Sequence, residues 1–288
     1  MSPKYIVITP VRDEEANLRL TIQSMIDQSL RPVEWVIVND GSIDKTGSII
    51  DEFAAREPWI RAVHRQNRGF RKSGGGVVEA FDDGYRALAC KDWDFIVKFD
   101  GDLSFEPDYF ERCFAHFVED PKLGVGGGSI YHVIDGEALL ERCPAFHVRG
   151  ATKIYRKACW EAIGGLWPAP GWDTFDEVKA NRLGWTSRNF PELRLIHHRQ
   201  TGAADGLWKG FVKNGRANYI CGYHPLFMVG KCIRRFVRRP YVIGATALFY
   251  GFITGYLRRI PQVDDLDTIT YLRAQQMGRM TGGPTIWK

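Results

Sequence analysis

No two of the six cysteines form a CxxC pair, and none stands with histidine at a zinc-binding spacing. That excludes a dithiol redox motif and a structural zinc site. Cys90, Cys113, Cys143, Cys159, Cys221 and Cys232 read instead as reduced thiols of a cytosolic chain. The N-terminus has no basic region, long apolar stretch or cleavage site, so no signal peptide is expected. No GxxxxGKS loop is present and no GxGxxG follows the first strand pattern, which leaves P-loop and NAD readings without support. Internal repeats and low-complexity linkers are also missing. The most informative absence is of acid: between Gly206 and Pro261 there are ten Lys or Arg and no Asp or Glu. The whole chain has 39 basic and 34 acidic residues, so outside that segment 29 basic residues face 34 acidic ones. An acidic body with such a basic segment suggests a polyanionic or membrane-surface partner on one side only; no nucleic acid polymer is expected.

What is present is ordinary for a folded protein. At 288 residues, 44% apolar and 25% charged, the chain is neither disordered nor a disulfide-stapled miniprotein. Tyr5 to Thr9, Trp35 to Asn39, Ile60 to His64, Phe95 to Phe99 and Val125 to Tyr131 read as strands. Glu14 to Gln28, Lys45 to Glu57, Val77 to Ala89 and Pro107 to Glu119 read as helices. The alternation predicts an α/β fold, a mostly parallel sheet with helices on both faces and ligands at the carboxyl ends of its strands.

Polar clusters stand at those ends. Asp100-Gly101-Asp102 follows an apolar strand, and paired carboxylates there suit a Mg²⁺ or Mn²⁺ ion that bridges phosphate oxygens. Gly101 is expected to let a diphosphate approach the backbone. Asp40, before Gly41 and Ser42, can accept hydrogen bonds from a base edge or ribose, or can simply shape a turn. Arg68 to Gly76 places basic side chains and glycines before a helix, an arrangement suited to phosphate.

Taken in order, Ile8 to Glu15, Val38 to Ser42, Asn67 to Gly69, Asp100 to Asp102, and Ile163 to Gly165 followed by Asp173 to Glu177 resemble a family 2 glycosyltransferase of GT-A fold over about residues 4 to 200. The resemblance implies inverting transfer from a UDP-, GDP- or dTDP-linked sugar. It implies that Pro10, Glu14 and Asp40 lie near the base and ribose, that Arg68 and Lys72 lie near the donor, and that Thr9 and Arg12 also belong to the nucleotide-sugar site. Asp100 and Asp102 then hold the metal-diphosphate, with His197 or His198 a further ligand or phosphate contact. An acidic pair after the Gly-Gly turn supplies the base. Asp176 is the first choice, with Val178 starting a helix; Asp173 is the alternative, or else the helix N-cap. Trp172 and Trp185 are either sugar-stacking or packing residues.

Residues 201 to 288 read as a separate basic, aromatic, helical segment. The uncharged stretch Tyr241 to Leu257 has 17 residues, short of the roughly 20 that span a bilayer. It is expected in the membrane interface or, alternatively, in a protein core. The expected setting is the cytoplasmic face of the cell membrane, peripheral or monotopic, with a lipid-linked saccharide acceptor of cell-surface polysaccharide assembly. Transfer to polyprenyl phosphate is the alternative within the class, and a sugar-nucleotide nucleotidyltransferase the alternative outside it.

Overall fold

The computed structural model describes residues 2–70, 74–134, 136–199, 206–237 and 240–287. Its strands in chain order are β1 (Tyr5–Val11), β2 (Glu34–Asn39), β3 (Ile60–His64), β4 (Phe95–Phe99), β5 (Leu103–Phe105), β6 (Leu123–Ile134), β7 (Glu137–Leu140), β8 (Thr152–Arg156) and β9 (Thr186–His197). The helices are α1 (Leu18–Ile26), α2 (Thr46–Arg56), α3 (Gly75–Ala87), α4 (Tyr109–Glu119), α5 (Lys157–Ile163), α6 (Trp172–Arg182), α7 (Leu207–Ile220), α8 (Pro225–Phe236), α9 (Tyr241–Leu257) and α10 (Leu266–Thr281).

Strands β1, β2 and β4 are apolar runs buried on both faces, as a parallel sheet under helices requires. With β3 they form a parallel half in the order β3-β2-β1-β4. The sheet then continues β8-β6-β9-β5, with β7 folded back on β6. In this second half only the β6–β9 pair is parallel; β4–β8, β6–β8 and β5–β9 are antiparallel. The sheet is therefore mixed rather than mostly parallel. β5, β7 and β8 are only three to five residues long, too short for their alternation to stand out in the sequence.

Strands β3 and β4 match their expected limits. The first helix does not, because it begins at Leu18 rather than Glu14. Asp13 takes a left-handed φ of 54°, the Glu14 N–H donates to Thr46 Oγ1 at 2.8 Å, and the Glu14 carbonyl accepts from Asn17 and Leu18. Glu14 is thus a buried loop residue at the carboxyl end of β1.

The C-terminal helices complete the core that covers α6. Phe146, Phe175 and Val178 are buried in one cluster with Tyr219, Leu248, Phe252 and Trp287. Helices α7 and α9 approach closely through small residues: a Cβ on Gly215 would fall 1.9 Å from the Leu248 carbonyl oxygen, and one on Gly251 2.1 Å from that of Val212. One side of the uncharged stretch is accordingly core. Among the described residues no helix is long and apolar enough to cross a membrane. Residues 200–205, where the two expected parts of the chain meet, lie outside the described residues.

Candidate active site

Asp100 and Asp102 follow the carboxyl end of β4, and the β5–β9 pairing sets Leu103 opposite His197. One ligand atom from each of Asp100, Asp102 and His197 lies within 4.8 Å of the others. His197 Nε2 is 3.1 Å from Asp102 Oδ2. Asp102 Oδ1 and His197 Nδ1 are both buried without a hydrogen-bond partner. Buried polar atoms are rarely left unpaired, and a carboxylate-rich set with one imidazole fits a divalent cation. Burial disfavours the imidazolium of His197, but the hydrogen bond to Asp102 and the charges of Asp102, Asp100 and Glu141 outweigh it and raise its pKa. His198 turns the other way: its Nε2 lies 2.8 Å from Ser104 Oγ, outside the cluster.

Beside this centre Glu14 is ion-paired with Arg199. Burial and the charges of Asp102 and Asp100 raise the Glu14 pKa to about 7 in spite of that partner. Asp40, after β2, is held between Arg65 and Arg68, the latter at 2.6 Å. Arg12 donates to Asn67 Oδ1 at 3.0 Å and the Phe70 carbonyl at 3.2 Å, closing one side of the same loop. Three expected donor contacts have other work. The Thr9 hydroxyl accepts from Trp35 Nε1 at 2.9 Å inside the core, and Pro10 is a buried residue of β1. Gly101 is closely packed, since a Cβ there would lie 2.3 Å from Val11 Cγ1. Lys72 lies outside the described residues.

Helix α6 begins at Trp172, two turns before the expected Val178, with Gly171 as its N-cap at a φ of 92°. A Cβ on Gly171 would meet Cys221 Sγ at 2.4 Å, which locks this turn against the end of α7. Asp176 is therefore inside the helix and 4% exposed. Both its oxygens accept from Lys153 Nζ, at 2.8 and 2.9 Å, and Tyr155 donates to Oδ2. Burial raises its pKa to about 6, against Lys153 and with the help of neighbouring Glu177. These contacts leave Asp176 closed to an incoming hydroxyl. Asp173, in the first turn, is half-buried and does not cap the helix. Burial opposes its ionisation, but His147, Lys153, Arg149 and Lys98 hold its carboxyl below the ordinary range. It packs beside Gly150, whose carbonyl accepts from Lys98 Nζ at 2.6 Å, while Lys98 also pairs with Asp100. Trp172 is 6% exposed, a packing residue, and Trp185 packs against the same core cluster.

Four of these residues, Lys98, Lys153, Tyr155 and Arg199, were not anticipated. A signal existed for three of them. Lys98 interrupts an apolar strand two positions before Asp100, and Lys153 and Tyr155 alternate on one face of β8.

Residues 6–160 match the model of glycosyl transferase family 2. The chain is 28% identical over 195 residues to the glycosyltransferase GlyA of Streptococcus pneumoniae, covering 67% of this chain and 26% of GlyA. It is 29% identical over 131 residues to the uncharacterized glycosyltransferase EpsJ of Bacillus subtilis, covering 46% of this chain and 35% of EpsJ. Thus the chain spans about a quarter to a third of the length of these relatives. Among solved structures, the mannosyltransferase PcManGT of Pyrobaculum calidifontis, in complex with GDP-Man and Mn²⁺, shares the fold with a TM-score of 0.59 at 16% identity, over 89% of this chain and 74% of that one. TarS 1–349 of S. aureus in complex with UDP gives 0.51 at 15% identity, over 88% and 72%.

Proposed function

The chain belongs to glycosyl transferase family 2, and on that premise we propose that it transfers a sugar, with inversion, from a nucleotide-sugar donor to a hydroxyl of a lipid-linked saccharide. The observation that carries the reading is the buried, unpartnered Asp102 Oδ1 grouped with Asp100 and His197 at the carboxyl end of β4. Those three residues would hold Mg²⁺ or Mn²⁺, which when bound neutralises charge on the leaving nucleoside diphosphate. The solved neighbours, one in complex with GDP-Man and Mn²⁺ and another with UDP, support a donor of this class.

Inversion is a single displacement. The acceptor oxygen attacks the anomeric carbon, the bond to the diphosphate breaks with its electron pair going to the leaving group, and the hydroxyl proton passes to a carboxylate. We assign that base to Asp173 rather than Asp176. Its partial exposure, the cationic neighbours that lower its pKa and its place next to the Lys98–Asp100 pair support the choice. Asp40, with Arg65 and Arg68, and Arg12 form the base and ribose end, while Arg199 stands beside the diphosphate end. An acceptor presented at the cytoplasmic face of an anionic membrane accords with the acid-free basic segment and with relatives named as chondroitin and hyaluronan synthases of Pasteurella multocida.

The test is release of UDP, GDP or dTDP from a panel of nucleotide sugars with Mn²⁺, with Mg²⁺ and with EDTA. Metal-dependent release from one nucleotide class is expected. Pyrophosphate release from a nucleoside triphosphate and sugar phosphate would instead indicate a nucleotidyltransferase.

A further inference from the structure

The outer faces of α8 and α9 carry an apolar surface that the transfer reaction does not use. On α8, Leu226, Val229, Ile233 and Phe236 recur at helical spacing and are all exposed. Helix α9 is uncharged all round, so burying one side against α7 leaves Val242, Phe249, Tyr250 and Leu257 exposed on the other. Between them lies a cleft of about 570 Å³ lined by apolar and aromatic side chains, Trp208 among them, with Thr246 and Cys232. A contiguous apolar patch of this kind marks an interaction surface rather than ordinary exposure.

The charge around the cleft selects its occupant. Lys209, Arg234, Arg258 and Arg259 are exposed around the same helices, and no carboxylate occurs between Gly206 and Pro261. A second copy of the chain would set cationic face against cationic face, which is repulsive. An anionic surface with hydrocarbon beneath matches both features, and Trp208, Tyr241, Tyr250 and Tyr256 supply the amphipathic rings suited to a water–lipid boundary. We propose that the α8–α9 face inserts into the interface of an anionic lipid bilayer, with acyl chains in the cleft and the basic rim on headgroups. The inserted element is thus a two-helix surface, not α9 lying alone. Cys221, at the end of α7 and ahead of this surface, contacts Gly171 at the start of the helix that carries Asp173.

The inference rests on the membrane setting of the proposed function but can fail separately from glycosyl transfer. Full-length protein is cosedimented with phosphatidylcholine vesicles with and without phosphatidylglycerol, and nucleotide-sugar turnover is scored without vesicles. Binding only to the anionic vesicles is expected, with a residue that survives about 0.5 M salt because chains are inserted. Ile233→Asp and Tyr250→Asp, at positions 62% and 50% exposed, should weaken partition at least tenfold without changing Tm or soluble donor turnover. Equal binding by these variants, complete release by salt, or a wild-type dimer that Ile233→Asp disperses would overturn it.

Discussion

Lys98 and Lys153 lie directly opposite each other in the antiparallel β4–β8 register, and both ammonium groups are 5.6 Å from the centroid of the Trp172 ring. Like charges in this position repel unless each has its own counter-ion. Lys98 has Asp100; Lys153 has Asp176 and Glu177. The pair therefore joins the candidate metal centre to helix α6 through one layer under Trp172 in which two lysines face three carboxylates.

Removing a cation from that layer should be costly. Lys153→Met leaves two buried carboxylates without their cation and is expected to destabilise the protein by about 3–5 kcal/mol. Urea unfolding of Lys153→Met and of Lys153→Met/Asp176→Asn checks this, since the second variant removes one uncompensated charge and should recover part of the loss.

The candidate metal centre predicts a residue-specific response to Mn²⁺. At about a hundredfold excess over Kd, bound cation adds about 2.7 kcal/mol, which raises Tm by roughly 5 °C for a chain of this size. Asp102→Ala and His197→Ala should lose that shift. His198→Ala should keep it, because His198 is engaged with Ser104. An equal shift in all three would remove the cluster from the metal role.

Glu14 makes the stability depend on pH. Its pKa is raised from 4.5 to about 7, so the folded state favours the protonated carboxyl. That contribution is fully present below about pH 4.5 and is lost as pH rises through about 7. Metal-free wild type should therefore lose more Tm between about pH 5 and about pH 8 than Glu14→Gln does. Added Mn²⁺ should stabilise wild type more at the upper end, where it offsets repulsion among Glu14, Asp100 and Asp102. A parallel pH profile for the variant would contradict the assignment.

The parallel half of the sheet was legible because β1, β2 and β4 are continuous apolar runs, and Asp100 and Asp102 were legible because they end one of them. The antiparallel half was harder to read: β5, β7 and β8 are short, and β6 is rich in glycine, so apolar periodicity is weak there. The sequence favours Asp176 as the base, and the proposal of Asp173 instead has a tertiary reason. Lys153 and Tyr155 lie 23 and 21 positions before Asp176, and only the β4–β8 pairing brings them onto it. Thr9 and Gly101 stand at motif positions that suggest donor contacts, and motif position does not show that the Thr9 hydroxyl is engaged by Trp35 or that Gly101 is packed on Val11.

The most direct test compares Asp173→Asn and Asp176→Asn for transfer to an acceptor, with donor affinity and Tm measured in parallel on the same preparations. Asp173→Asn should bind donor and melt like wild type while transfer falls by at least about 100-fold. Asp176→Asn should lower Tm and leave transfer within about tenfold of wild type in the folded fraction. Full transfer by Asp173→Asn, or its loss in a well-folded Asp176→Asn, would contradict the proposed site.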